Sequence, residues 1–332
     1  MGIPLKIVVT GDTHLGFDLP QKPKIIKPRR GFDFTRNFEK VIKHTIDNNA
    51  DLLLHLGDVF NRSKPPQKLV SFTFELFKLV AKEGIPVVIV PGNHERSFMP
   101  GSLFDRHDNI YIFSKPETFL FDIKGSKVAI AGFPFFRGNV RKEFSKLVKN
   151  TEIEELKSDY KLLLFHQAID GARVGVQNYL FKDREDVINP LDIPTGITLA
   201  LSGHIHRHQI LTLNHNEKKL PVPVVYTGST ERTSFVEREE TKGFIELELD
   251  EKYKISFIPL ETRKLFVMEI TQKSSEKFID RLPNMPEHSA LQLKIKGEMG
   301  RSFYEKIKSI EKNILWNKDA LIEISIPTLK IP

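Results

Sequence analysis

A chain of 332 residues, 40% hydrophobic and 28% charged, can build one large domain plus a small one, and its apolar runs stay well short of the ~20 residues of a membrane span. Without cysteine it can form neither disulfides nor thiolate metal sites, so any metal must be held by carboxylate, imidazole or amide groups. The net charge of +7 and pI near 9.2 suit a polyanionic partner without requiring one, and the start runs straight into an apolar strand with no secretory signal. A cytoplasmic protein with no membrane partner is expected.

Residues 6–10 read as a short apolar strand that runs into Gly11-Asp12-Thr13-His14. A proline-punctuated stretch follows in which Lys22, Lys24, Lys27, Arg29, Arg30 and Arg36 face a single acid, Asp33. Such a run is a solvated face or, beside a phosphoester site, a candidate phosphate contact. Phe34, Phe38, Val41, Ile42 and Ile46 then recur at helical spacing, with Asp33 or Thr35 as cap. Next comes Leu52-Leu53-Leu54-His55-Leu56, an unbroken apolar run of the kind found in strands buried on both faces, ending in Gly57-Asp58.

Residues 59–66, including Arg62, read as a loop, and 67–83 as a helix stopped by Gly84. A third strand over 87–90 runs into Pro91-Gly92-Asn93-His94-Glu95. The order β-α-β-α-β brings three parallel strands together with their carboxyl ends on one edge, where open α/β sheets collect ligands. Strands over 111–113, 119–121 and 128–131 belong to a second sheet. The Phe133-Pro134-Phe135-Phe136-Arg137 loop then lies at the ligand edge, as a hydrophobic wall or a base-stacking surface.

A polar helix is predicted over 141–156. Strands over 162–165 and 198–201 end in His166 and in Ser202-Gly203-His204-Ile205-His206, separated by a long functional loop over 170–194. Strands over 209–213 and 222–226 lead to a turn, Gly228 to Arg232, that returns to the same edge, and 243–249 with 253–257 form a hairpin. Past a boundary near residue 260, strands over 265–270, 290–295 and 321–326 alternate with helices over 275–281 and 303–315. The domain division is therefore 1–260 and 261–332, the second a small α+β unit for capping or DNA binding.

Five strand ends thus deliver Asp12, His14, Asp58, Asn93, His94, His166, His204 and His206 to one edge. His55 reads as packed within its strand, His208 as either lining the site or packed, and His44, His107, His215 and His288 as surface residues.

Asp-x-His, Gly-Asp, Gly-Asn-His-Glu, a strand-end His and Gly-His-x-His, in this order over residues 5–232, resemble the calcineurin-like metallophosphoesterase superfamily. Gly11-Asp12-Thr13-His14-Leu15-Gly16, Gly57-Asp58-Val59-Phe60 and Thr227-Gly228-Ser229-Thr230-Glu231-Arg232 resemble its double-strand-break repair nucleases of the SbcD type. The resemblance implies an α/β fold: a β-sandwich of two mixed sheets flanked by helices, layered α/β/β/α, plus the small α+β domain. It assigns one divalent ion to Asp12, His14 and His206 and a second to Asn93, His166 and His204, bridged by Asp58. Ions held about 3.5 to 4 Å apart in this way lower the pKa of a shared water. Mixed nitrogen and oxygen ligands suit Mn(II), with Fe, Zn, Ni and Co as competitors. His94 would contact the developing charge or protonate the leaving oxygen.

The implied activity is a Mn-dependent deoxyribonuclease, exonuclease or endonuclease, working in a groove between the two domains. Lys22, Lys24, Lys27, Arg29, Arg30, Arg62 and Arg232 are its candidate DNA contacts. The alternatives are a small-molecule phosphodiesterase or phosphatase and a non-enzymatic DNA-binding scaffold. Two departures from the family pattern stand out. Asn61 occupies the place of a substrate-positioning histidine in several of these nucleases. The sequence also stops at Pro332, short of the helical region by which such nucleases bind an SbcC-type ATPase partner. A homodimer is compatible with the pattern.

Overall fold

A computed structural model of the chain describes residues 4–17, 30–96, 99, 107–297, 300–318 and 320–325. It divides into two compact units, one formed by Met1–Phe17, Gly31–Glu231 and Glu240–Glu261, the other by Asp18–Arg30, Arg232–Glu239 and Thr262–Pro332.

The first unit is built on two six-stranded mixed sheets. In one, Leu5–Thr10, Leu52–His55, Val87–Ile89 and Ile110–Ile112 run parallel, and the antiparallel hairpin Gly243–Leu249/Tyr253–Pro259 extends the Leu5–Thr10 edge. In the other, Ser126–Gly132, Tyr160–Phe165, Leu199–Ser202 and Lys219–Tyr226 are parallel, with Glu117–Ile123 and Gln209–Leu213 antiparallel at the two edges.

The layering follows from the alternation of side chains along each strand. Val9, Leu54 and Val88 meet Ile130, Leu162, Leu164 and Leu201 between the sheets. Their neighbours Val8, Leu53 and Val87 pack outward on α1 (Gly31–Asp47) and α2 (Gln67–Lys82), through Phe34, Phe38, Phe74 and Phe77. Leu163, Phe165 and Ala200 pack on the opposite side, against Phe144 and Val148 of α3 (Val140–Lys149). Both sheets are therefore buried on both faces, which is why their strands read as unbroken apolar runs.

Three expectations are corrected. The strand expected over 111–113 in the second sheet is Ile110–Ile112 and joins the first, because the backbone beside Val87–Ile89 is satisfied by it: Val87 N–H bonds the Asn109 carbonyl at 2.8 Å and Phe113 N–H the Ile89 carbonyl at 3.1 Å. The third helix ends at Lys149, not at residue 156: the Thr151 hydroxyl bonds back to the Val148 carbonyl at 2.6 Å and Glu152 takes φ 59°, so the chain turns and buries Ile153. The stretch 170–194 is also not one open loop. Arg173–Val174 and Tyr179–Leu180 pair as a short hairpin, and Val187–Ile188 pairs with Ala168–Ile169.

The second unit has a parallel three-stranded sheet in the order Lys264–Ile270, Ser289–Ile295, Leu321–Ser325. Phe278 of α4 (Ser275–Arg281) and Phe303, Ile307 and Ile314 of α5 (Arg301–Lys318) pack with Ile270, Leu291, Leu293 and Ile295 in its own core. No helix among the described residues is long and apolar enough to cross a membrane.

Candidate metal centre

The carboxyl ends of the buried strands leave the sheets through backbone conformations that few side chains adopt. Asp12 (φ 48°), His14 (φ 44°), Asp58 (φ 51°) and His204 (φ 79°) are all left-handed, each at a cost of order 1–3 kcal/mol. Strain of this kind at four positions of one edge is what a functional site over-determines. Glycines make the crowding possible. A Cβ on Gly57, itself at φ 98°, would lie 2.4 Å from His166 Nδ1, and one on Gly92 would lie 2.2 Å from Asp58 Oδ1.

Asp58 sits at the centre. Its Oδ2 lies 3.4 Å from His166 Nε2, 3.8 Å from His94 Nε2 and 3.9 Å from His14 Nε2, and its Oδ1 accepts the His94 N–H at 2.9 Å. On one side His14 Nε2 and His206 Nε2 face each other at 3.0 Å, with Asp12 Oδ1 3.9 Å from His206 Nε2. On the other, Asn93 Oδ1 meets His166 Nε2 at 3.1 Å and His204 Nδ1 at 2.9 Å. His166 Nδ1 donates to the Leu56 carbonyl at 2.7 Å, which fixes the tautomer that leaves Nε2 to the site. The Asp12 carboxylate accepts the His204 N–H at 3.1 Å, tying the first strand end to the fifth.

Charge at the site follows from burial and mutual contact. Burial works to raise Asp58, but the His166 charge and hydrogen bond outweigh it and hold the carboxylate well below its usual range. Burial likewise works to lower His166, and the Asp58 charge instead lifts it to about 9. Burial raises Asp12 to about 6 and, with the His166 charge, lowers His204 to about 3. Burial also drives His14 well below the usual imidazole range.

These donors fit divalent ions. Two imidazole nitrogens pointing at each other at 3.0 Å need a proton or a cation between them, and two buried carboxylates need positive charge nearby. Asp12, His14 and His206 have ligand atoms close enough to share one ion, as do His14, Asp58 and His94, and Asp12, Asp58 and His166.

Glu95 is the functional residue that the sequence reading left without a role. Its buried carboxylate accepts backbone N–H groups from Asp58 at 3.1 Å, Phe60 at 2.7 Å and Gly92 at 2.9 Å, and so binds the second strand end to the third. Burial, then the Asp58 charge, raise it to about 8. A glutamate directly after Asn93-His94 was the available signal.

Other expected residues stand elsewhere. His55 is buried, with Nε2 3.0 Å from the Thr13 hydroxyl and Phe38 and Phe77 against its ring. His208 stacks on Phe257 and meets the Tyr226 carbonyl at 2.8 Å, a packed position. Of the histidines expected at the surface, His215 instead bonds the buried Asp170 at 2.6 Å, and His44 is partly covered against Glu246 and Phe244. Phe135 walls the site beside His166 and His204, with ring centroids 6.1 and 5.8 Å away.

Lys22, Lys24, Lys27 and Arg29 lie outside the described residues. Arg30 is buried and donates to the Arg232 carbonyl, and Arg232 donates to the Glu237 and Arg263 carbonyls at 3.1 and 3.0 Å. Arg62 is half-buried.

Paired mixed sheets whose strand ends gather carboxylates, imidazoles and an amide have the layout of a metal-dependent phosphoesterase. The calcineurin-like phosphoesterase family model matches residues 5–208, and the chain belongs to that family. It is 26% identical to the DNA double-strand break repair protein Mre11 of Methanocaldococcus jannaschii, over 96% of this chain and 83% of the relative. It is 25% identical to the protein of the same name from Archaeoglobus fulgidus, over 88% of this chain and 68% of that one. Among solved structures, a dimetal phosphatase from Danio rerio superposes with a TM-score of 0.46 at 10% identity, covering 77% of this chain and 99% of that one.

Proposed function

We propose that the chain is a two-metal phosphodiesterase that cleaves DNA in break repair. The observation that carries this reading is the position of Asp58, one carboxylate with imidazole nitrogens of His14, His94 and His166 within 3.9 Å. Asp12, His14 and His206 would hold one ion, and Asn93, His166 and His204 the other, with Asp58 shared between them. Two divalent ions, most simply Mn(II), supply Lewis acidity at the phosphoryl oxygens and an acidified water.

The chain's own groups do the rest. His94 Nδ1–H donates to the Asn61 carbonyl at 2.7 Å, which turns Nε2 toward Asp58, and its side chain is 36% exposed, so substrate can reach it. A proton carried at Nε2 is delivered to the leaving oxygen as the P–O bond breaks. Phe135 excludes water from the side of His166 and His204. With Asn61 in place of a positioning histidine, digestion from ends is expected to be inefficient.

The break-repair function carried in the relatives' names supports DNA as substrate, as does the net charge of +7. Phosphate contact is proposed for Lys22, Lys24, Lys27, Arg29 and Arg62 from the clustering of positive charge in the sequence, while Arg30 and Arg232 are engaged with backbone carbonyls. Neutralising several of the assigned residues should flatten the salt dependence of DNA binding. A homodimer is proposed on the resemblance, with the exposed Phe72 and Leu79 of α2 as its candidate contact. An SbcC-type ATPase partner is proposed on the resemblance alone.

The test is incubation with Mn(II) and end-labelled linear duplex, single-stranded and circular DNA. Cleavage abolished by Asp58→Asn and His94→Gln supports the reading. Hydrolysis of bis-nitrophenyl phosphate with no DNA cleaved would make the protein a small-molecule phosphodiesterase instead.

A further inference from the structure

Lys242 is fully buried, an expensive place for an ammonium group, and its chemistry is absorbed by none of the steps above. Its Nζ donates at 2.8 Å to the backbone carbonyl of His206 and at 2.8 Å to Glu240 Oε2. The other Glu240 oxygen, Oε1, accepts from Arg207 Nε at 3.1 Å. Arg207 reaches on to the hairpin of Arg173–Val174 and Tyr179–Leu180, donating to the Gly175 carbonyl at 2.7 Å and to Asn178 Oδ1 at 2.6 Å. Gln209 clamps the same hairpin through the backbone of Arg173, at 2.8 and 2.9 Å.

A chain of charge-assisted hydrogen bonds therefore runs from the His206 backbone through Lys242, Glu240 and Arg207 to the tip of a surface hairpin. The same His206 carbonyl also accepts the Ser229 N–H at 3.1 Å, so its peptide is held from two sides. We propose that Lys242, Glu240 and Arg207 are positioning residues that set His206 for the ion shared with Asp12 and His14, and that couple its placement to the hairpin. Outer partners of a ligand typically change metal affinity 10- to 100-fold when removed. Here the effect should fall on one ion, because His166, His204 and Asn93 are oriented by Leu56 and by each other, outside this network.

The inference rests on the two-ion reading, and the experiment separates the two. Mn(II) is titrated calorimetrically into the metal-free full chain, into Lys242→Met, and into Arg207→Gln, a milder change at a partly exposed side chain. The parent should bind two ions. Each variant should keep one binding event and weaken the other by about tenfold or more, and the double variant should weaken it by less than the product of the two single losses. Arg207→Gln should also speed amide exchange across residues 173–180. Unchanged affinities, or equal weakening of both events, in variants that remain folded would overturn the positioning role. A parent that binds fewer than two ions would instead overturn the reading beneath it. If Lys242→Met fails to fold, Arg207→Gln alone decides.

Discussion

The two ends of the same parallel strands are built by opposite rules. At the carboxyl ends, Asp12, His14 and Asp58 are buried, left-handed in backbone and crowded by other titratable groups. At the amino ends, Asp51 simply accepts the Lys6 N–H at 2.9 Å and the Lys124 ammonium at 2.7 Å, and a cleft of about 770 Å³ lies there, lined by Asp51, Glu83, Asp122 and Lys124. The amino end offers an open cleft, and the carboxyl end a convergence of titratable groups. The carboxyl end is the candidate site, because there Asp12, His14, Asp58 and His204 combine left-handed backbone with mutual crowding of titratable groups.

Substitutions at the carboxyl edge should break this contrast in graded order. Asp58→Asn removes the carboxylate proposed to be shared by both ions, so cleavage in Mn(II) should fall by roughly a thousandfold or more; an assay retaining a tenth of the parent rate would refute its central place. His94→Gln should lower turnover by about 10²–10⁴-fold while calorimetry still finds two ions bound, as the proposed role in proton delivery requires; loss of an ion would make His94 a ligand instead. Glu95→Gln touches no ion. It leaves three backbone N–H groups to a single amide oxygen, so ion affinity should drop about 10- to 100-fold and stability by about 1–3 kcal/mol in a denaturant titration. The matching change at the amino end, Asp51→Asn, should leave both ion affinities where they are.

Acidity sharpens the same comparison with a smaller effect. Without metal, His166 holds its proton more tightly folded than unfolded, so it contributes stability below about pH 6.5 that is lost as the pH rises through about 9. Glu95, raised from 4.5 to about 8, acts in the same direction. The melting temperature of the metal-free chain should therefore decline by a few degrees between pH 6.5 and 9. Excess Mn(II) should reverse that slope, because ligation needs His166 neutral and so favours higher pH. A metal-free melting temperature that rises over this range would contradict the assignment.

The strand ends were legible because each has the same local grammar: an apolar run, then a glycine or a direct end, then a ligand side chain. Parallel topology carries those ends to one edge without further information. What stayed hidden depends on partners distant in sequence. Glu95 was visible as a letter in a motif, but its work lies in the amides of residues 58, 60 and 92. Lys242 had no signal, since a lysine before a strand reads as surface until its neighbours are known. The polar pattern over 141–156 concealed the point where Thr151 competes for the backbone, and His215 read as exposed because Asp170 is 45 residues away. His208, two residues past His206, turned out packed, where alternation along a strand left it open.

The most direct measurement is the number of Mn(II) ions bound per chain, by calorimetry with parallel electron paramagnetic resonance on the metal-free protein. Two ions with a spin-coupled signal, both events weakened by Asp58→Asn, are predicted. A single uncoupled ion, or two that are indifferent to Asp58, would contradict a shared centre.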